Sequence, residues 1–356
     1  MSSRARVALS PAPHAPVPEL ANLAAVHVAL LNWFAADGRD LPWRRTRDPW
    51  RILVSEIMLQ QIQVSRAIPF YSAFVARFPT VDDLAAASLA DAIRVWGTLG
   101  RYRRVVALHR TAQIVVATHD GRIPRDPAVL RTLPGIGPYT AGAVACFAYE
   151  DDTAFLDTNM RRVLHRLFVG PDVPSRTVND AALRRLAEAA VPAGRGWFWN
   201  QALMDFGAVR CTALRPACNG CPLRAHCRAF PGVLHALTDI KAARRAKRHE
   251  TGSIAANEPA HAADPALSSR RPALPGHRYY RGRVLEQLCA LPDEDQAAIE
   301  LRRLGSKVLP DFTDADEPWL RGVVQSLAHD GLAVAEERPA YDASGDGDLV
   351  IRLPGD

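Results

Sequence analysis

The sequence predicts a mainly α-helical protein that ends in a small α+β module. Three observations carry this. Up to residue 232, apolar residues recur at helical spacing between short Pro- and Gly-bearing turns, and no segment reads as a convincing strand. Beyond that point three helical runs lead to two short strand candidates separated by an Asp/Gly/Ser turn. The composition is 48% hydrophobic but only 7% aromatic, which suits a globular helical body.

The chain has 356 residues, enough for two or three domains. Residues 1–20 are rich in Pro and Ala and lack the apolar centre of a signal peptide, so a disordered tail is expected. An amphipathic helix follows over Leu20–Asp37. Asp40 to Trp50 reads as an ordered loop, with Pro42, Trp43, Pro49 and Trp50. Helices are expected over Trp50–Val64, Val81–Trp96 and Tyr102–His119. A short helix over Asp126–Arg131 then meets Leu133-Pro-Gly-Ile-Gly-Pro-Tyr-Thr140.

In that stretch Pro134, Gly135 and Gly137 predict a tight turn, and Pro138 fits the first turn of an apolar helix reaching Tyr149. Helix, hairpin and helix leave the Gly135 and Gly137 amides at a helix N-terminus, a ready site for an anion such as a DNA phosphate. The turn fails as a dinucleotide fingerprint, because no strand precedes it and the third glycine is out of place.

A basic helix is expected over Asn159–Phe168, then helices over Asn179–Ala190 and Trp197–Cys211. Residues 233–277 read as a linker, with the basic run Lys241 to Arg248 and then an Ala/Pro/Ser-rich stretch. Residues 278–356 read as a winged-helix-like module, with helices over Arg281–Leu291, Glu294–Leu304 and Glu317–His329 and strands over Leu332–Glu336 and Asp348–Leu353.

The net charge of +6 is unevenly spread. Residues 284–356 hold 16 acids and 6 bases, a net of −10, which leaves 38 bases and 22 acids, a net of +16, for the rest. A basic body suits a polyanion, and DNA is the usual one. No apolar run approaches the roughly 18 residues of a membrane helix, and a cytoplasmic protein is expected.

Four of the six cysteines bunch as C-x6-C-x2-C-x5-C: Cys211, Cys218, Cys221 and Cys227. Thiols so close can wrap one metal centre, and disulfides are not expected in the cytosol. Zinc is one candidate, but its knuckles usually repeat C-x2-C twice. An iron–sulfur cluster accepts less regular spacing. Arg210, Arg215, Arg224 and Arg228 in this loop suit phosphate contacts. Cys146 and Cys289 lie in apolar runs and read as structural thiols.

Four motifs together resemble the helix-hairpin-helix DNA glycosylases, the superfamily of endonuclease III, and within it the adenine (MutY-type) branch. They are Ser55-Glu-Ile-Met-Leu-Gln-Gln61, Leu133 to Thr140, Leu156-Asp-Thr-Asn-Met-Arg-Arg-Val163 and the cysteine cluster. They span roughly residues 24–230 in the family's order and spacing. The resemblance implies an endonuclease III-like fold of two helical subdomains. One is a six-helix barrel over 45–150. The other joins 21–44 to 151–232 and carries a [4Fe-4S] cluster on Cys211, Cys218, Cys221 and Cys227.

The resemblance also implies roles. Glu56 matches the acid of the adenine branch, Asp157 the aspartate shared across the superfamily, and Asn159 its polar neighbour. Gln60, Gln61, Tyr102, Gly135, Gly137 and Thr140 match DNA-contacting positions. The expected partner is double-stranded DNA with a mismatched or oxidised base pair, bound by a monomer. The chemistry fits. A base must be flipped out before it is cut, an acid must protonate adenine as it leaves, and a carboxylate must face the sugar cation. Tyr139 stands where endonuclease III has its Schiff-base lysine, so simple hydrolysis to an abasic site is expected.

Three departures are present. Ile62 replaces a usual Thr, and Gly100-Arg-Tyr102 replaces Gly-Tyr-Tyr. No Phe-Ser-His loop of the kind that checks for 8-oxoguanine is found. Two rival readings remain: a thymine- or uracil-mismatch glycosylase of the same superfamily, and a non-catalytic DNA-binding iron–sulfur protein. The Gln60-Gln61 pair and the C-terminal extension favour adenine over thymine, and the presence of both Glu56 and Asp157 argues against the non-catalytic reading.

Overall fold

The structure is a computed structural model that describes residues 20, 22–173, 178–254, 277–292, 297–337 and 349–355. The expected tail before residue 20 and the latter part of the expected linker, 255–276, lie outside them. The chain divides into two compact units, Met1–Asp40 with Glu150–Pro259 and Leu41–Tyr149 with Ala260–Asp356.

Helix α1 (Leu23–Asp37) belongs to the first unit. The second unit then runs through α2 (Pro49–Leu59), α3 (Val64–Arg77), α4 (Val81–Ala86), α5 (Leu89–Trp96), α6 (Arg103–Thr118), α7 (Pro127–Leu130) and α8 (Pro138–Tyr149). The chain returns to the first unit with α9 (Thr158–Phe168), α10 (Asp180–Ala190), α11 (Gly196–Asp205) and α12 (Gly232–Ile254). The C-terminal module, within the second unit, holds α13 (His277–Cys289), β1 (Ile299–Glu300), α14 (Leu301–Val308), α15 (Glu317–His329), β2 (Val334–Glu337) and β3 (Leu349–Arg352).

In the second unit α2 is the central rod. The Asp48 carboxylate accepts the Trp50 and Arg51 amides at 2.8 and 3.1 Å, and Pro49 occupies the first turn. Every side chain from Ile52 to Met58 is at most 3% exposed, so α2 is buried all round, with α8, α3 and α6 packed against it.

The first unit closes on α1 and α11. His27 meets Trp199 edge-on at 4.8 Å, and Trp33 meets Phe206 at 4.9 Å. The buried Asp205 carboxylate accepts the Arg39 backbone amide at 2.8 Å and its guanidinium at 2.8 and 2.5 Å. Such a pair leaves neither charge stranded.

Several elements differ from expectation. The helix expected over Trp50–Val64 stops at Leu59, and α3, which sequence reading had not anticipated, begins at Val64. Gln61 takes a left-handed backbone (φ 58°), which turns the chain. The Val81–Trp96 run is two helices, because Ser88 leaves α4 and caps α5 at the Asp91 amide, 3.1 Å away. The expected linker begins as α12, which carries the basic run. In the module, the helix expected over Glu294–Leu304 falls partly outside the described residues (293–296), and within them β1 precedes α14, which begins at Leu301. The sheet therefore has three antiparallel strands in the order β1-β3-β2, with Ile351 opposite both Ile299 and Ala335.

Candidate active site

The hairpin joins α7 to α8 in the second unit. Gly135 has φ 76°, and a Cβ there would stand 2.9 Å from the Ala107 Cβ, so glycine is required on two counts. The Thr111 hydroxyl donates to the Pro134 carbonyl at 2.9 Å and holds the turn. The Gly135 and Gly137 amides have no hydrogen-bond partner among the described residues, and they lie at the N-terminus of α8. Tyr139, on the first turn of α8, is half-buried. Thr140 is 2% exposed and accepts the Gln60 side-chain amide at 3.3 Å. It thereby ties the start of α8 to Gln60 at the end of α2.

Glu56 sits within the buried run of α2, 3% exposed, with Ile52, Leu53, Ile57 and Met58 buried on the same helix. Gln60 caps the C-terminus of that helix, and Gln61 follows it, exposed and left-handed. A non-glycine residue held at positive φ is strained, and such strain is concentrated at binding sites. Tyr102 precedes α6, half-buried, and burial pushes its hydroxyl up to about 12, so it stays a neutral phenol at physiological pH.

Asp157 belongs to the first unit and caps α9, accepting the Met160 amide at 2.6 Å. The Asn159 side-chain amide donates to its other oxygen at 3.2 Å. Burial raises this carboxyl above the usual aspartate range, while the Met160 amide, Asn159 and Arg162 pull it back down. The N-terminal pole of α9 adds to that pull. The result is a withdrawn carboxylate whose two oxygens are both aimed.

Cys211, Cys218, Cys221 and Cys227 line one cavity, floored by apolar residues such as Val163, Phe206 and Val233. Among the described residues no three His, Cys, Asp or Glu side chains close on one point as a single ion would require. The donor set fits a cluster better: four thiols spread over a shared cavity, with backbone amides of Leu223 and Arg224 directed at Cys221 and those of Ala229 and Phe230 at Cys227. Burial pushes the Cys227 thiol up to about 11, so holding these groups as thiolates calls for positive charge among them. Cys146 is buried in α8 and Cys289 half-buried in α13, as expected of packing thiols.

Two arginines that sequence reading passed over tie this unit together. Arg162, 7% exposed, donates to the Asn159 side chain at 2.8 Å, to the Gly207 carbonyl at 2.6 Å and to the Cys211 carbonyl at 2.7 Å. Gly207 must be glycine for this approach, since a Cβ there would lie 2.7 Å from Asn159. Arg166, 1% exposed, pairs with Asp172 at 2.6 Å and donates to the Thr212 and Ala213 carbonyls and to the Cys211 sulfur. Their spacing of four on one basic helix was the available signal. The structure thus gathers Asp157, Asn159 and the cysteine loop in the first unit, and Glu56, Gln60, Gln61, Tyr102 and the hairpin in the second.

Helix-hairpin-helix, capped aspartate and cysteine loop define a class. Residues 54–189 match the HhH-GPD superfamily of base excision DNA repair proteins. The adenine DNA glycosylase of Mycolicibacterium smegmatis is 47% identical over 203 residues, covering 56% of this chain and 68% of that protein. That of Mycobacterium tuberculosis is 43% identical over 54% of this chain and 64% of the relative, and the human one 40% identical over 59% and 40%. The chain belongs to the adenine DNA glycosylase family, although the match spans only about two thirds or less of these relatives' length.

Among solved structures, a thermostable thymine-DNA glycosylase is similar over 60% of this chain and all of its own (TM-score 0.56, 31% identity). An endonuclease III trapped on DNA shares the fold over 58% of this chain and 96% of its own (TM-score 0.50, 21% identity).

Proposed function

We propose that this enzyme excises adenine mispaired with guanine or 8-oxoguanine from double-stranded DNA and leaves an abasic site. The observation that carries the reading is Glu56, a carboxyl set into the buried run Ile52 to Met58 of α2. A group so placed is shielded from water and suited to hold a proton until a flipped base arrives. Glu56 donates that proton to a ring nitrogen of adenine. The N-glycosidic bond then breaks with its electron pair leaving on the base. The sugar becomes cationic, and the Asp157 carboxylate stabilises it. Water adds at the sugar carbon and releases a proton to solvent, Glu56 takes up a proton again, and the hydrolysis is complete. Tyr139 offers no amine, so no covalent imine forms.

The four cysteines would hold a [4Fe-4S] cluster, which supplies structural cross-linking of the loop and no step of the reaction. The Gly135 and Gly137 amides, Gln60, Gln61 and Tyr102 would engage DNA. The enzyme would act as a monomer in the cytoplasm; no described helix is long and apolar enough to cross a membrane.

The test is base release from duplexes carrying A or T opposite G, C and 8-oxoguanine. Release of adenine opposite G or 8-oxoguanine is expected. Release of thymine opposite G, with adenine retained, would favour the thymine reading suggested by the thymine-DNA glycosylase likeness. Purified protein should carry about four irons per chain, and Cys221→Ser should lose them. One zinc and no iron would overturn the cluster assignment.

A further inference from the structure

The C-terminal module is acidic as a whole, yet its first helix begins Arg278, Arg281, Arg283. Two of these face the segment Gly100 to Arg104 across a cleft of about 460 Å³ within the second unit. Five guanidinium groups line it: Arg101, Arg103, Arg104, Arg278 and Arg281. Only one carboxylate does, that of Asp330, which pairs with Arg103 at 2.9 Å and Arg281 at 2.5 Å. Arg101, Arg104 and Arg278 have no ion pair among the described residues.

Arg104 is the telling member. Its Nη1 is buried and has no hydrogen-bond partner. Burial, with the Arg101 charge beside it, pulls its pKa down to about 10. A half-buried guanidinium with one enclosed, unpartnered nitrogen beside a like charge is a natural seat for an anion. The loop is shaped to present these groups: Gly100 (φ 81°) and the non-glycine Arg101 (φ 53°) both hold left-handed backbone, and strain of this kind persists where a site uses it.

We infer that this cleft is a phosphodiester-binding site, in which the module and the Gly100–Arg104 segment together grip the DNA backbone beside Tyr102. The inference rests on the reading of the chain as a DNA-acting enzyme. It gives the module a role: a second wall for the DNA track. Arginine suits that wall because its planar fork can meet two phosphate oxygens at once.

The experiment is fluorescence-anisotropy binding of a duplex with one A·G mismatch, over a series of chloride concentrations. The variant Arg101→Ala with Arg278→Ala takes one exposed guanidinium from each wall. It should bind at least tenfold more weakly at low salt. Its log–log salt slope should be shallower by about one to two, since each lost phosphate contact removes about 0.9. If the double variant misfolds by circular dichroism, the single Arg278→Glu carries the test, with the same direction expected.

Arg303→Ala, an exposed arginine outside the cleft, should leave the slope unchanged. An unchanged slope in the double variant, or an equal loss in Arg303→Ala, overturns the site. Inorganic phosphate is the second probe. At matched ionic strength it should compete no better than chloride. Displacement of DNA at low millimolar phosphate from wild type alone would mark a free-phosphate site and overturn the DNA assignment. Adenine release is read in parallel. Its absence, with a salt slope that still depends on Arg278, would overturn the proposed function and leave the cleft standing.

Discussion

Glu56 and Asp157 are both carboxyl groups withdrawn from water, and they are held in opposite ways. Glu56 lies in a helix buried on every side, among Ile52, Leu53, Ile57 and Met58. Asp157 sits at the mouth of a helix, where an amide and an asparagine donate to its oxygens and the Arg162 charge acts on them from behind Asn159. The first setting favours a neutral acid and the second an aimed anion. The same chemical group meets two environments, an apolar helix face and a helix N-terminus that gathers donors.

The largest effect should come from the apolar setting. Glu56→Gln keeps the shape and removes the transferable proton, so single-turnover adenine release should fall by about 10²–10⁴-fold while mismatch binding persists. Release at the wild-type rate would end the contrast, since Glu56 would then be a buried structural carboxyl only.

Asp157→Asn should suppress release to a similar degree, yet its stability should move the other way. Burial raises the folded carboxyl above its unfolded value. Its contribution is therefore fully present below the unfolded pKa and lost as pH rises through the folded one. At neutral pH the anion costs stability, and asparagine keeps an oxygen for the Met160 amide. The variant's Tm near pH 7 should equal or exceed that of wild type. A clear drop would show that the anion itself holds α9. The acid limb of the wild-type rate profile should likewise sit above the usual aspartate range.

A smaller effect is expected from Arg162→Met. It strips donors from the Gly207 and Cys211 carbonyls, for a loss of about 1–3 kcal/mol if either is left unsatisfied. Because Arg162 lowers the Asp157 pKa, its removal should also shift the acid limb of the rate profile to higher pH. A stability loss with an unmoved limb would make Arg162 a structural strut with no positioning role. The mildest change is Tyr139→Lys, which should let borohydride trap some enzyme–DNA adduct where wild type traps little.

The parts of this contrast were unevenly legible in the sequence. The hairpin could be read because Pro134, Gly135 and Pro138 leave the backbone few choices. The burial of Glu56 could be read because Ile52, Leu53, Ile57 and Leu59 flank it on α2, while its role came only from the resemblance. The break at Gln60 to Gln63 could not: Gln-Gln-Ile-Gln contains no glycine or proline and good helix formers, and the turn is made by a strained Gln61. The arginines of α9 were misleading in a different sense. A basic helix reads as a face for solvent or DNA, but Arg162 and Arg166 are folded inward onto carbonyls, which only tertiary structure reveals. The strand β1 was invisible because two residues carry no periodicity.

One guanidinium, that of Arg162, touches the partner of the Asp157 carboxylate on one side and the start of the cysteine loop on the other. An enzyme that detaches bases is dangerous if it works half-assembled. Arg162 is a keystone against that: one guanidinium spans the Asn159 side chain and the Gly207 and Cys211 carbonyls, so the seat of Asp157 and the start of the cysteine loop share a single brace.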